Sequence, residues 1–223
     1  MNTNKFYDYF QPEKCDDRLH IIGCGAIGST IAENIVRLGL TNIALYDFDT
    51  VEAHNIANQM YRHADIGLPK VDALKNMLVE INPAAAEDIK TIKTGYSAQP
   101  LSGYIFLCLD NIDKRREIVN KCKGNDYIKA VFDFRMRLED AQHYAADWSD
   151  KSMVQNLLNS MNFTHAEALA ETPVSACNMP LSVAPTVRII CGLGIANFMN
   201  FVNRGELKKL IEIHAFSYSL SAF

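Results

Sequence analysis

Short apolar runs alternate along the chain with longer stretches whose apolar residues recur at helical spacing. Leu19-His20-Ile21-Ile22 ends in glycines and predicts a buried strand, followed by a helix over residues 29–38 on which Ile31, Ile35 and Leu38 share a face. Ile43-Ala44-Leu45-Tyr46 predicts a second strand, closed by Asp47. Val71, Leu74, Leu78 and Ile81 predict a helix over 71–81 that ends at Asn82-Pro83. Strands are expected over 89–93, 104–109 and 127–134, with a polar helix over 113–121 between the last two. This alternation predicts an α/β fold: a Rossmann-like, mostly parallel sheet with helices on both faces.

The second half is less regular. Residues 141–146 predict an antiparallel strand, 151–161 a helix, 185–202 a long helix and 210–216 a terminal strand, with a polar, proline-broken loop over 164–180. No run approaches the roughly 20 apolar residues of a membrane span, and residues 183–202, interrupted by Pro185 and Arg188, read as a buried helix. The 223 residues suit one domain spanning 1–223 rather than two small ones. A net charge of −4 without a basic run gives no footprint for nucleic acid. The six cysteines form no Cys-x-x-Cys pair, so reduced thiols, a cytoplasmic location and no structural zinc are expected.

Gly23-Cys24-Gly25-Ala26-Ile27-Gly28 is a Gly-x-Gly-x-x-Gly run between a predicted strand and helix. Glycines there allow a tight turn and let backbone N–H groups approach phosphates at a helix N-terminus. Asp47 ends the next strand about twenty positions on, where a carboxylate accepts from a ribose hydroxyl. These features fit a dinucleotide enzyme as readily as an ATP enzyme.

The following residues separate the two. The stretch from Asp47 through Asp49, Val51, Asn55 and Asn58 to Gln59 resembles the Asp-x-Asp-x-Val-x-x-x-Asn-x-x-Arg-Gln motif of the ThiF/MoeB/HesA adenylyltransferases and ubiquitin-activating enzymes. Ile66-Gly67-Leu68-Pro69-Lys70, Ile81-Asn82-Pro83 and Cys108-Leu109-Asp110-Asn111 with Arg115 are similar to further motifs of that family, in the same order. The resemblance covers residues 19–116 well and the C-terminal half thinly.

It implies ATP-dependent adenylation of the C-terminal carboxylate of a ubiquitin-like or sulfur-carrier protein, with release of pyrophosphate, by a homodimer that needs neither membrane nor nucleic acid. Alternatives are a non-catalytic nucleotide-binding scaffold, or adenylation of a small carboxylate or a tRNA base. By this resemblance the nucleotide site comprises Gly23, Gly25, Ala26, Ile27, Gly28, Asp47, Asp49, Asn55, Asn58, Gln59, Leu109 and Asn111. Lys70 is the catalytic cation at the phosphates, and Asp110 the catalytic carboxylate that holds Mg²⁺. The chain departs from the family at Asn58, which stands where the motif has arginine. Arg62, four positions on, is the expected substitute, since guanidinium pairs with phosphate through two hydrogen bonds and an amide cannot. Cys177, in a polar loop before Pro185, matches the cysteine that in ThiF-type enzymes can bond covalently to the carrier.

Overall fold

A computed structural model describes residues 1–176 and 181–223. The parallel half follows the hydrophobic pattern. It comprises β1 (Leu19–Ile22), α1 (Ala26–Arg37), β2 (Ile43–Tyr46), α2 (Lys70–Ile81), β3 (Lys90–Ile92), β4 (Gly103–Leu107), α3 (Ile112–Cys122) and β5 (Ile128–Met136). The remainder is β6 (Asp140–Asp147), α4 (Lys151–Asn159), α5 (His165–Ala170), α6 (Ala184–Arg204), β7 (Leu210–His214) and β8 (Ser219–Ala222). One sheet runs β3-β2-β1-β4-β5-β6-β7-β8. Pairing is parallel from β3 to β5 and antiparallel from β5 to β8.

The central strands β1, β2 and β4 are buried at every residue because helices cover both faces. On one face α1 packs on α2 and α6, around Ile21, Phe106, Phe132 and Phe198. On the other lie α3 and α4, around Ile22, Ile105, Leu107 and Val131. Between α6 and β5 the approach is close enough that a Cβ on Gly194 would collide with the Phe134 ring.

Three expectations are corrected here. Residues 165–170 form α5 rather than loop: Thr164 caps it, accepting from the Glu167 N–H, while the Glu167 carboxylate takes the Thr164 N–H. The end of the chain is a hairpin, with β8 paired to β7; the pattern did not predict it because Ser219-Leu220-Ser221-Ala222 carries no apolar run. A third correction concerns α6, whose 21 residues are long and apolar enough by length and composition to cross a membrane. In this fold Val187, Ile190, Cys191 and Phe198 bury one side of it against α1 and the sheet.

A buried polar network joins α6 to the antiparallel strands. His143 is fully buried and stacks on Phe134, with ring centroids 4.4 Å apart. Its Nδ1 lies 3.3 Å from the Asp133 carbonyl, an acceptor, so Nδ1 carries the proton and Nε2 accepts from Asn197 Nδ2 at 3.2 Å. Burial disfavours the charged imidazolium and lowers His143 to about 4. His20 on β1 is likewise buried, beside the Tyr46 hydroxyl at 2.9 Å, and its burial, aided by Arg18, lowers it to about 4.

Both histidines titrate near 6.5 when unfolded, so between about pH 6.5 and 4 the unfolded chain binds more protons. Stability is therefore full above that window and falls as pH falls through it. Urea unfolding at pH 5 should show a loss of about 2 kcal/mol per histidine relative to pH 7; a midpoint unchanged between those pH values contradicts the assignment of neutral buried histidines. Gly194→Ala should cost about 1–3 kcal/mol through overpacking against Phe134, read as a lowered melting temperature. An unshifted melt would show that the Phe134 ring moves freely aside.

Candidate nucleotide site

The chain leaves β1 through Gly23, whose φ of +93° lies in the left-handed region. A Cβ there would stand 2.8 Å from the Cys108 carbonyl oxygen, and one on Gly28 would collide with the Gly23 carbonyl. Both glycines are therefore needed for the turn itself. Gly25 differs: a Cβ on it would meet nothing within 4 Å, so this position faces open space. No side chain caps α1, which begins there with its first backbone N–H groups toward the cleft.

Asp47 braces the turn from β2. Its carboxylate accepts from the Cys24 N–H at 2.6 Å and from the Asp49 N–H at 2.9 Å. Burial raises its carboxyl above the usual range, against the pull of both donors. Each oxygen keeps a lone pair for a further donor such as a hydroxyl. The segment after Asp47 folds back onto the start of α2. The Lys70 N–H donates to the Asp49 carbonyl at 2.9 Å, and the buried Lys70 ammonium meets Asp49 Oδ2 at 2.8 Å. The Tyr61 hydroxyl, 2.6 Å from the Cys24 carbonyl, ties the same segment to the glycine turn.

A 3₁₀ turn over Ala53–Ala57 is fixed by reciprocal bonds between Glu52 and Asn55. They occupy the Asn55 carbonyl oxygen and leave its amino group without a partner among the described residues. Gln59 Oε1 is buried without a partner among the described residues. Asn58 Nδ2 donates to the Ser182 hydroxyl and so tethers this turn to the approach of α6. From β4, Leu109 and Asp110 reach the same space, and the exposed Asp110 has no hydrogen-bond or ion-pair partner among the described residues.

These groups line a cleft of about 1700 Å³ at the C-terminal ends of the parallel strands, the usual ligand edge of an open α/β sheet. The cleft gathers the expected site residues except Gly28, Arg62 and Asn111. Gly28 acts beneath the turn. Asn111 caps α3, accepting from the Lys114 N–H at 3.0 Å. Arg62 lies outside the lining and pairs with Glu80 at 2.8 Å and Asp65 at 3.5 Å. Cys177 lies outside the described residues. The other cysteines are free and buried, and burial pushes Cys15 up to about 12 and Cys122 to about 11, which keeps those thiols protonated.

Sequence reasoning missed an ion cluster on the cleft floor. Fully buried Asp133 on β5 accepts from Arg115 through Oδ1 and from Arg135 Nε through Oδ2, the latter at 2.7 Å. Burial alone would raise its carboxyl, but the two guanidinium groups outweigh burial and hold it below the usual range. Asp133 between Phe132 and Phe134 was the available signal, since a carboxylate in a buried apolar strand requires a cationic partner.

Comparison with known proteins agrees with this geometry. The chain is 21% identical over 232 residues to ubiquitin-like modifier-activating enzyme 5 of Caenorhabditis elegans, covering 88% of this chain and 50% of that protein. It is 29% identical over 126 residues to molybdopterin-synthase adenylyltransferase of Haemophilus influenzae, covering 53% and 51% respectively. The chain thus spans about half the length of these curated relatives. In fold it is similar to a crystal structure of Escherichia coli MccB with ATP, at a TM-score of 0.76 and 16% identity, covering 95% of this chain and 65% of that one. It is also similar to PaaA, at a TM-score of 0.68 and 19% identity, covering 95% and 74%. The ThiF family profile matches residues 15–218, nearly the whole length, and the chain belongs to the ThiF family.

Proposed function

We propose that this chain adenylates the C-terminal carboxylate of a ubiquitin-like or sulfur-carrier protein, using ATP and releasing pyrophosphate. The observation that carries the reading is the meeting of the uncapped α1 N-terminus, the buried Lys70 ammonium and the unpartnered Asp110 carboxylate at one end of the cleft. A carboxylate oxygen of the acceptor bonds to the α-phosphorus of ATP, the bond from that phosphorus to the bridging oxygen breaks, and pyrophosphate leaves. Catalysis of this kind is positioning and charge stabilisation. The residues present fit the nucleotide: Gly25 opens space at the helix N-terminus, Asp47 retains lone pairs for a ribose, and the orphaned Gln59 oxygen awaits a donor.

The carboxylates of Asp47, Asp49 and Asp110 outnumber the ammonium of Lys70, so a triphosphate calls for an added cation. Asp110 would hold Mg²⁺, which supplies neutralisation of phosphate charge. The Asp49 carboxylate holds the Lys70 side chain in place before the nucleotide enters. A homodimer belongs to the same reading. The scaffold alternative draws on one feature: the position of the family arginine is Asn58, spent on Ser182, while Arg62 pairs with Glu80 instead.

Mg-ATP should raise the melting temperature, worth about 2.7 kcal/mol at 100 times Kd, and NAD should not. A shift with NAD alone rejects the site assignment. Asp110→Ala should keep the wild-type melt and lower carrier-dependent ATP–pyrophosphate exchange on the order of 100-fold. Wild-type exchange in that variant removes Asp110 from the mechanism, and absence of exchange in the parent with every carrier tried favours the scaffold.

For Cys177, capture of the activated carrier as a thioester divides transfer into two steps, the thiol sulfur replacing AMP on the carbonyl carbon. Cys177→Ala should retain exchange and lose any covalent carrier adduct in intact-mass measurements. An adduct that persists in the variant assigns the nucleophile elsewhere.

A further inference from the structure

A separate hollow of about 590 Å³ opens at the N-terminal ends of β1, β2 and β3, the edge of the sheet opposite the nucleotide cleft. Its size suits a small molecule. Lys90, Ala44 and His20 stand there in one cross-strand row, and Arg18 comes two residues before His20. Ala44 is the floor because its side chain is the smallest of the row, and Ile92 and Pro100 add apolar wall. Tyr46 closes the inner end and also lines the nucleotide cleft. Its carbonyl accepts from the Gly23 N–H at 2.8 Å, so the hollow backs onto the glycine turn.

The polar groups of the hollow are arranged as donors. The Ser102 N–H donates to His20 Nε2 at 3.4 Å, so in the neutral ring Nδ1 carries the proton and donates to the Tyr46 oxygen at 2.9 Å. The Tyr46 O–H then has no acceptor among the described residues, and burial raises this phenol to about 12, which keeps it a donor. The Arg18 guanidinium is half-buried and has no hydrogen-bond or ion-pair partner among the described residues. Its charge bears on both His20 and Tyr46. Asp16 and Asp17 border the hollow too, but their charges bear on Cys15, and that of Asp17 on Tyr104, in the core on the other face of the sheet. With Lys90 the rim holds two cations and two carboxylates, and so carries no net charge.

We infer that this hollow binds a small monocarboxylate with an apolar body. The carboxylate lies against Arg18 through two hydrogen bonds, and the Tyr46 O–H donates to one of its oxygens. The apolar body rests on Ala44 between Ile92 and Pro100. The planar fork of a guanidinium matches a carboxylate. A rim without net charge accepts one negative charge more readily than the two of a phosphate. The site is distinct from the nucleotide cleft, with Tyr46 alone shared between them, and the inference stands apart from the adenylation reading.

The test uses the full chain with isotope-labelled histidine and benzoate as the probe, read by NMR from the assigned His20 ring signal. Benzoate should shift that signal with a Kd of about 1 mM, and neutral benzamide and inorganic phosphate should each bind about ten-fold more weakly. Arg18→Gln should weaken benzoate about ten-fold without changing the melting temperature, and Arg18→Lys should recover part of the loss. Tyr46→Phe, which removes one donor and keeps the ring, should weaken it about five-fold. Mg²⁺ with a non-hydrolysable ATP analogue should leave benzoate bound. Equal binding of benzamide, an unchanged affinity in Arg18→Gln, displacement by the nucleotide, or an unshifted His20 signal at about 20 mM benzoate overturns the inference. Phosphate binding tighter than benzoate overturns the assignment of a carboxylate.

Discussion

The cleft depends on how closely the chain turns between β1 and α1. Gly23 must adopt a positive φ against the Cys108 carbonyl, and Gly28 must rest on the Gly23 carbonyl itself. Any side chain at either position would push α1 away from the end of β1. Because the turn is this tight, the uncapped N-terminus of α1 opens beside the ends of β2 and β4, where Asp47 and Asp110 stand. Asp47 then locks the turn through the Cys24 N–H, and the fold-back of the next segment delivers Lys70. One steric constraint thereby sets the position of every group proposed to meet a nucleotide.

The electrostatics follow from that placement. Carboxylates exceed cations near the glycine turn, and the fixed positive surplus lies instead on the β5 floor, where Asp133 is divided between Arg115 and Arg135. A buried ion cluster of this kind costs desolvation, and removing one member would strand an uncompensated charge.

The parallel half of the fold was legible because strands buried on both faces read as continuous apolar runs, and because α1 and α2 carry a clear apolar stripe. α5 and β8 were not, since α5 has no buried residue and β8 is exposed throughout; their order comes from a capping box and from pairing with β7. Most of the residues that line the cleft around the glycine turn were picked out by the ordered motifs. The role expected of Arg62 rested on distance along the chain, and the structure turns its side chain toward Asp65 and Glu80 on the α2 side. Asn111 shows the same limit: the motif marks its position, while its side chain serves the helix it caps. The hollow from Arg18 to Lys90 joins residues far apart in sequence, and only strand register brings them together.

The central claim is that this cleft holds the triphosphate of ATP at the N-terminus of α1. A crystal structure of the chain with Mg²⁺ and a non-hydrolysable ATP analogue tests it most directly. The account predicts phosphate density over Gly25 and Ala26, within hydrogen-bond reach of Lys70, with the metal at Asp110. Nucleotide bound elsewhere on the protein, or phosphates turned away from α1 and Lys70, would contradict it.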